Sequence, residues 1–108
     1  MSHFEPDTGT KLAPDSLVAG CVESGSRSLL LDGGSLPDAF FDLATGFAGE
    51  LLHGLSKYGL RLAAVVPDPT AHPLRFQEFL REANRGEQFR FFPSRREALE
   101  WLSSSEND

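Results

Sequence analysis

The hydrophobic positions of the chain fall into short runs of two kinds, and their spacing separates strands from helices. Residues 28–32, SLLLD, form a compact apolar run stopped by Gly33 and Gly34. That is the pattern of a strand buried on both faces, with Leu29, Leu30 and Leu31 in the core. Residues 60–66, LRLAAVV, repeat it with one charge at Arg61 and end at Pro67-Asp68-Pro69, which predicts a central strand. Residues 89–92, FRFF, predict a shorter third one.

Between these runs the period changes to that of a helix. From residue 39 to 57, Phe40, Phe47, Leu51, Leu52 and Leu55, with Tyr58 just beyond, predict one helix that begins near Thr45 and stops at Gly59. Residues 70–85 place Leu74, Phe76, Phe79, Leu80 and Ala83 on one side, with charged and amide side chains largely opposite and Gly86 as the stop. Ser94 and Glu97 match a capping box that opens a last helix, in which Ala98, Leu99 and Leu102 turn inward and Trp101 sits at the edge. Near the start, Pro14, Asp15 and Ser16 before Leu17, Val18, Cys21 and Val22 read as a short helix, although Gly20 leaves LVAGCV open to a strand reading.

Strands and helices thus alternate, with connections too long for hairpins. The expected fold is a small α/β domain with a mainly parallel sheet of about four strands, right-handed crossovers and a βαβαβα core. Residues 1–13 read as a flexible arm or short edge strand, residues 14–102 as one domain, and the polar end 103–108 as a disordered tail.

Composition narrows the function more than the fold. A chain of 108 residues, 40% hydrophobic and with nine Phe, suits one packed core. Its apolar runs fall far short of the roughly 20 residues that span a bilayer, and its start lacks the features of an export signal, so a cytoplasmic protein is expected. A net charge of −6 repels phosphate backbones and argues against nucleic acid as a partner. The lone Cys21 has no internal disulfide partner and reads as a buried small hydrophobe.

Signatures of catalysis and cofactor binding are missing: there is no GxGxxG, no phosphate loop, no HExxH, no paired CxxC and no GxSxG. His3, His53 and His72 share no ligand spacing, and Glu50 with His53 supplies at most two ligands, so the expectation is no metal and no cofactor. Parallel sheets collect ligands at the carboxyl ends of their strands, here Asp32, Gly33, Gly34, Asp68, Thr70, His72, Pro93 and Ser94. Those residue types serve equally as turns and caps.

The least ordinary stretch is FFDLATGFAGELLHGL, where three Phe, two carboxylates, a hydroxyl and three glycines run into a helix start. Together with LRFQEFLREANRG and FRFFPSRREALEWL, it resembles an uncharacterised bacterial domain-of-unknown-function family with an FFDL-x-TG-x-AGE signature, over about residues 29–102. The same stretch also resembles the STAS domains of anti-sigma-factor antagonists, with Asp42-Leu43-Ala44-Thr45-Gly46 in place of their Asp-Ser-Ser/Thr-Gly loop. In those domains the serine after the aspartate takes a phosphate that switches partner binding. Here Leu43 or Ala44 stands there and Thr45 is the loop's one hydroxyl, so the resemblance implies a binding surface without that switch.

The expectation is therefore a STAS-like, non-catalytic protein-interaction or regulatory module. Its contact surface is Phe40, Phe41, Asp42, Thr45, Gly46, Gly49, Glu50 and His53, facing an unidentified protein partner, with pairing to a second copy left open. The rival is a small-ligand or anion site built from the amides of Thr45, Gly46 and Phe47 with Asp42 and Arg75. An enzyme ranks third and requires His53 or His72 buried against a carboxylate.

Overall fold

The computed structural model describes residues 3–6, 13–32, 36 and 38–106. The fold is α/β, built on four parallel strands: β1 (His3–Phe4), β2 (Ser28–Asp32), β3 (Arg61–Val65) and β4 (Phe89–Phe92). They lie in the order β1-β2-β3-β4, with Leu29 beside Leu62 and Ala64 beside Phe91. The helices are α1 (Pro14–Glu23), α2 (Asp38–Phe41), α3 (Phe47–Lys57), α4 (Leu74–Ala83) and α5 (Arg95–Glu106). Among the described residues no helix is long and apolar enough to cross a membrane.

Strand order explains the layering. When each crossover is right-handed and every new strand is added on the same side, all the crossover helices come to lie on one face. Alternation along the strands then sorts the core into two clusters. Leu29, Leu31, Leu62 and Ala64 face the crossover helices, whereas Leu30, Ala63 and Val65 face α5, which covers the reverse face with Ala98 and Leu102. The continuous apolar runs of β2 and β3 follow from this two-sided burial.

The helix expected from near Thr45 to Gly59 is present as α3, and the apolar spacing that reaches back to Phe40 crosses a break ahead of it. The stretch divides into α2, a 3-10 turn over Leu43–Thr45 and then α3, with Gly46 at the junction in the left-handed region at φ 79°. Periodicity survives the break because both halves turn their apolar side toward the same sheet, while a conformation that only glycine adopts readily separates them. The helix expected over 70–85 is shorter, since a 3-10 turn occupies Pro69–Ala71 and Pro73 precedes Leu74. Leu74, expected inside, is 66% exposed.

Both ends are helped by side chains. Ser94 Oγ accepts from the Glu97 amide at 3.3 Å and donates to Glu97 Oε2 at 3.2 Å, so the capping pair expected at α5 is present. α5 then continues through the polar serines to Glu106, past Leu102, its last core residue. At the edge strand β4, Asn84 accepts from the Phe91 amide at 2.7 Å and donates to the Phe91 carbonyl at 3.3 Å. It thereby fills one position of an edge that parallel pairing leaves open.

Candidate functional site

The carboxyl edge of the sheet, where ligands of parallel α/β domains gather, is occupied by the chain's own hydrogen bonds. Asp42 accepts from the Ala44 amide at 3.1 Å, and Asp68 accepts from the Thr70 amide at 3.1 Å and from the Thr70 hydroxyl. Both aspartates cap 3-10 turns, which is the ordinary work of Asx residues in loops. Ser94 caps α5, and Gly33 and Gly34 lie outside the described residues. Asp32 is half-buried at the end of β2.

The amides of the expected anion site are committed in the same way. Thr45 donates its N–H to the Asp42 carbonyl at 3.0 Å, Gly46 to the Leu43 carbonyl at 3.2 Å, and Phe47 to Thr45 Oγ1 at 3.2 Å. The Thr45 hydroxyl proton in turn sits between the carbonyls of Ala39, at 2.7 Å, and Asp42, at 2.8 Å. An anion has no free amide to accept from at these three positions. Thr45 is therefore a tie between α2 and α3 that fixes the direction of the chain across the Gly46 break.

Phe40 and Phe41, expected on the contact surface, belong to the core: Phe40 is fully buried and Phe41 is 8% exposed. Phe40 meets Phe41, Phe47 and Phe76 edge-on, with ring centroids 5.4, 6.1 and 5.8 Å away. Phe41 stacks flat on His72, 3.9 Å between centroids and 6° between planes. Aromatic pairs of this kind contribute about 0.5–1.5 kcal/mol each beyond burial. The twin phenylalanines thus anchor α2 against α4 and β4. Sequence reasoning missed this because two consecutive helical residues point about 100° apart, and only the aromatic neighbours of α4 and β4 let both be buried.

The remaining candidates are exposed or half-buried. Asp42, Thr45, Gly49, Glu50 and His53 are exposed and Gly46 is half-buried. Of these, Glu50 and His53 face an open groove of about 450 Å³ between α1 and α3. From α1 the groove is lined by Pro14, Asp15, Val18, Ala19, Val22 and Glu23, and from α3 and its end by Glu50, His53, Gly54, Lys57 and Tyr58. The floor is apolar and the rim charged. Val22 is 44% and Tyr58 57% exposed, unlike the core residues that their helical spacing suggests.

Gly54 makes this geometry. A Cβ there would lie 2.9 Å from Val18 Cγ2, closer than carbon atoms approach, so the two helices touch only because the side chain is absent. Val18 and Gly54 both belong to the lining of the groove, which runs along this contact. The sequence offers a signal for it, since a helical glycine with no turn to make often marks a close packing contact. Gly49, by contrast, has nothing within 4 Å of a Cβ and needs no such contact.

Cys21 is fully buried, its thiol 3.4 Å from the Ser28 carbonyl oxygen, and burial pushes its pKa up, away from the thiolate. His53 is exposed and His72 is held by its stack on Phe41. Among the described residues no three His, Cys, Asp or Glu side chains come close enough together to hold a metal ion.

A family model described as a domain of unknown function, DUF4180, matches residues 7–102. The chain belongs to the DUF4180 family. No curated protein and no solved structure matches it. The family match spans from before α1 to the last core residue of α5, so both walls of the groove lie within the DUF4180 domain.

Proposed function

We propose that this DUF4180 domain is a cytoplasmic, non-catalytic protein-interaction or regulatory module whose contact face is the α1–α3 groove and the exposed flank of α3. The observation that carries the reading is the groove itself, an apolar floor left open to solvent, with Val22 and Tyr58 exposed beside a charged rim. Apolar surface rimmed by polar groups is the common anatomy of a protein interface. Glu50 and His53 stay in this reading from the surface expected on sequence grounds, whereas Phe40 and Phe41 become its foundation. The resemblance to STAS domains, in which the counterpart loop leads into a partner-binding helix, points to the same helix α3.

A small-ligand reading draws on the groove's volume, which falls within the range of ligand pockets. A partner of protein size is favoured because the groove is open and its charged groups stand on the rim about an apolar floor.

Affinity capture from the native cell tests the reading, with wild-type protein set against Val22→Glu and His53→Glu. Both changes are at exposed positions, so each variant should melt close to wild type. The expected result is a protein retained by wild type and by an Arg85→Glu control outside the groove, and lost by both groove variants. Equal capture by all four proteins, or retention of nothing by any of them, would overturn the reading.

A further inference from the structure

The two ends of the groove differ in charge. α1 and α3 each return the chain from the end of one parallel strand to the start of the next, so they run in the same direction. They meet where Val18 touches Gly54. Asp15 and Glu50, one turn earlier on their helices, therefore stand at the same end of the groove, and neither forms an ion pair with a described residue. At the other end Glu23 is balanced by Lys57, and the exposed Val22 and Tyr58 supply apolar surface. First-turn carboxylates favour their own helices, which accounts for Asp15 and Glu50 but not for the apolar groups left uncovered one and two turns along.

The groove follows α1 for ten residues, about 13 Å at the rise of a helix. That length suits two to three turns of a partner helix laid along it. A second copy of this chain suits it less, because each copy would bring a rim of three carboxylates against one ammonium and a net charge of −6.

Building on the interaction-module reading, we propose that the groove takes an amphipathic helix of another protein. The helix seats its apolar stripe on Val18, Ala19 and Val22 and against Tyr58, and places a lysine or arginine at the Asp15–Glu50 end. The apolar stripe supplies affinity, and the basic residue sets the helix direction.

The test titrates the full-length, ¹⁵N-labelled chain with two synthetic helical peptides that share a leucine stripe and differ only in carrying lysines or glutamates at one end. The lysine peptide should shift the amides of residues 18–22 and 53–58 and bind at least about tenfold tighter than the glutamate peptide, a preference that weakens with salt. The D15K/E50K variant should reverse the preference; if it does not fold, D15N/E50Q should abolish it. Val22→Glu should weaken both peptides.

Equal affinity for the two peptides, a preference that D15K/E50K leaves unchanged, or shifts confined to other surfaces would overturn the helix proposal. So would sedimentation as a dimer that Val22→Glu converts to monomer, which would make a second copy the occupant. If the peptides fail while capture of a native partner still depends on Val22 and His53, the proposal of a basic helix falls and the interaction-module reading stands.

Discussion

Two halves of one helical layer solve the same packing problem in opposite ways. Toward β4, where α2 and α4 lie, the space is filled by rings: Phe40, Phe41, Phe76, Phe79 and Phe91 contact one another with centroids between 5.0 and 6.2 Å apart. Between α1 and its neighbours α3 and β1, contact is made by the absence of side chains. Gly54 admits Val18, and Gly20 admits the ring of Phe4, whose Cζ would lie 2.8 Å from a Cβ. Rings seal the first half, whereas the glycine contact between α1 and α3 lies in the lining of an open groove. Large side chains spend a surface on stability, and small ones leave some of it for a partner.

If the aromatic half is the structural one, the largest effect anywhere in the molecule should come from its centre. Phe40→Ala removes a fully buried ring and four ring contacts at once. A loss of about 3–5 kcal/mol is expected for such a cavity, a large share of the stability of a domain this size. Urea unfolding should show a strongly lowered midpoint or a chain already unfolded in buffer. A loss under about 1 kcal/mol would mean that the cluster is loosely packed and would erase the contrast between the halves.

Much of this fold was legible beforehand, and for a physical reason. β2 and β3 are apolar throughout because helices cover both their faces, and α3 shows its stripe because only one of its sides is covered. Local chemistry was legible too: the Ser94–Glu97 pair and the burial of Cys21 depend on near neighbours or on residue type alone. The site was read less well. The burial of Phe40 and Phe41 leaves no local signal because their partners Phe76, Phe91 and His72 lie thirty or more residues away. The amides of Thr45, Gly46 and Phe47 looked free because nothing in their spacing shows the turn that consumes them. The α1–α3 groove was missed altogether, since it depends on which glycine of α3 meets α1.

That last dependence gives the next effect in size, and α3 carries its own control. Gly54→Val drives a branched side chain into Val18, and overpacking of this kind costs about 1–3 kcal/mol. Gly49→Ala, on the same helix but with open space around it, should instead stabilise by about 0.5–1 kcal/mol, because alanine loses less backbone entropy than glycine in a helix. Thermal melts of the two variants should shift in opposite directions. If both rise, α1 and α3 yield easily and Gly54 does not set the groove.

The smallest expected effect lies at the N-terminal edge, where β1 has only two residues of pairing with β2. Among the described residues its side-chain contacts include the Phe4 ring, which packs on Gly20 and the core, and Glu5, whose carboxylate oxygens each accept from Arg95 at 2.6 Å. The hydrogen bonds from Arg95 keep the Glu5 carboxyl below its ordinary pKa of 4.5. A depressed carboxylate stabilises the fold above its unfolded pKa and loses that contribution as pH falls through the lower folded value. Side-chain exposure of 46% for Arg95 and 32% for Glu5 limits the pair to about 0.2–1 kcal/mol. Glu5→Gln should therefore lower the melting temperature slightly at neutral pH, and the gap to wild type should close as pH falls below about 4.5. Phe4→Ala should cost more and show no such pH dependence, since burial of a ring has no charge to titrate. If instead Glu5→Gln is the more damaging of the two, the ion pair holds this edge of the sheet, and the glycine-for-ring exchange seen at Gly20 contributes little on the side where the groove opens.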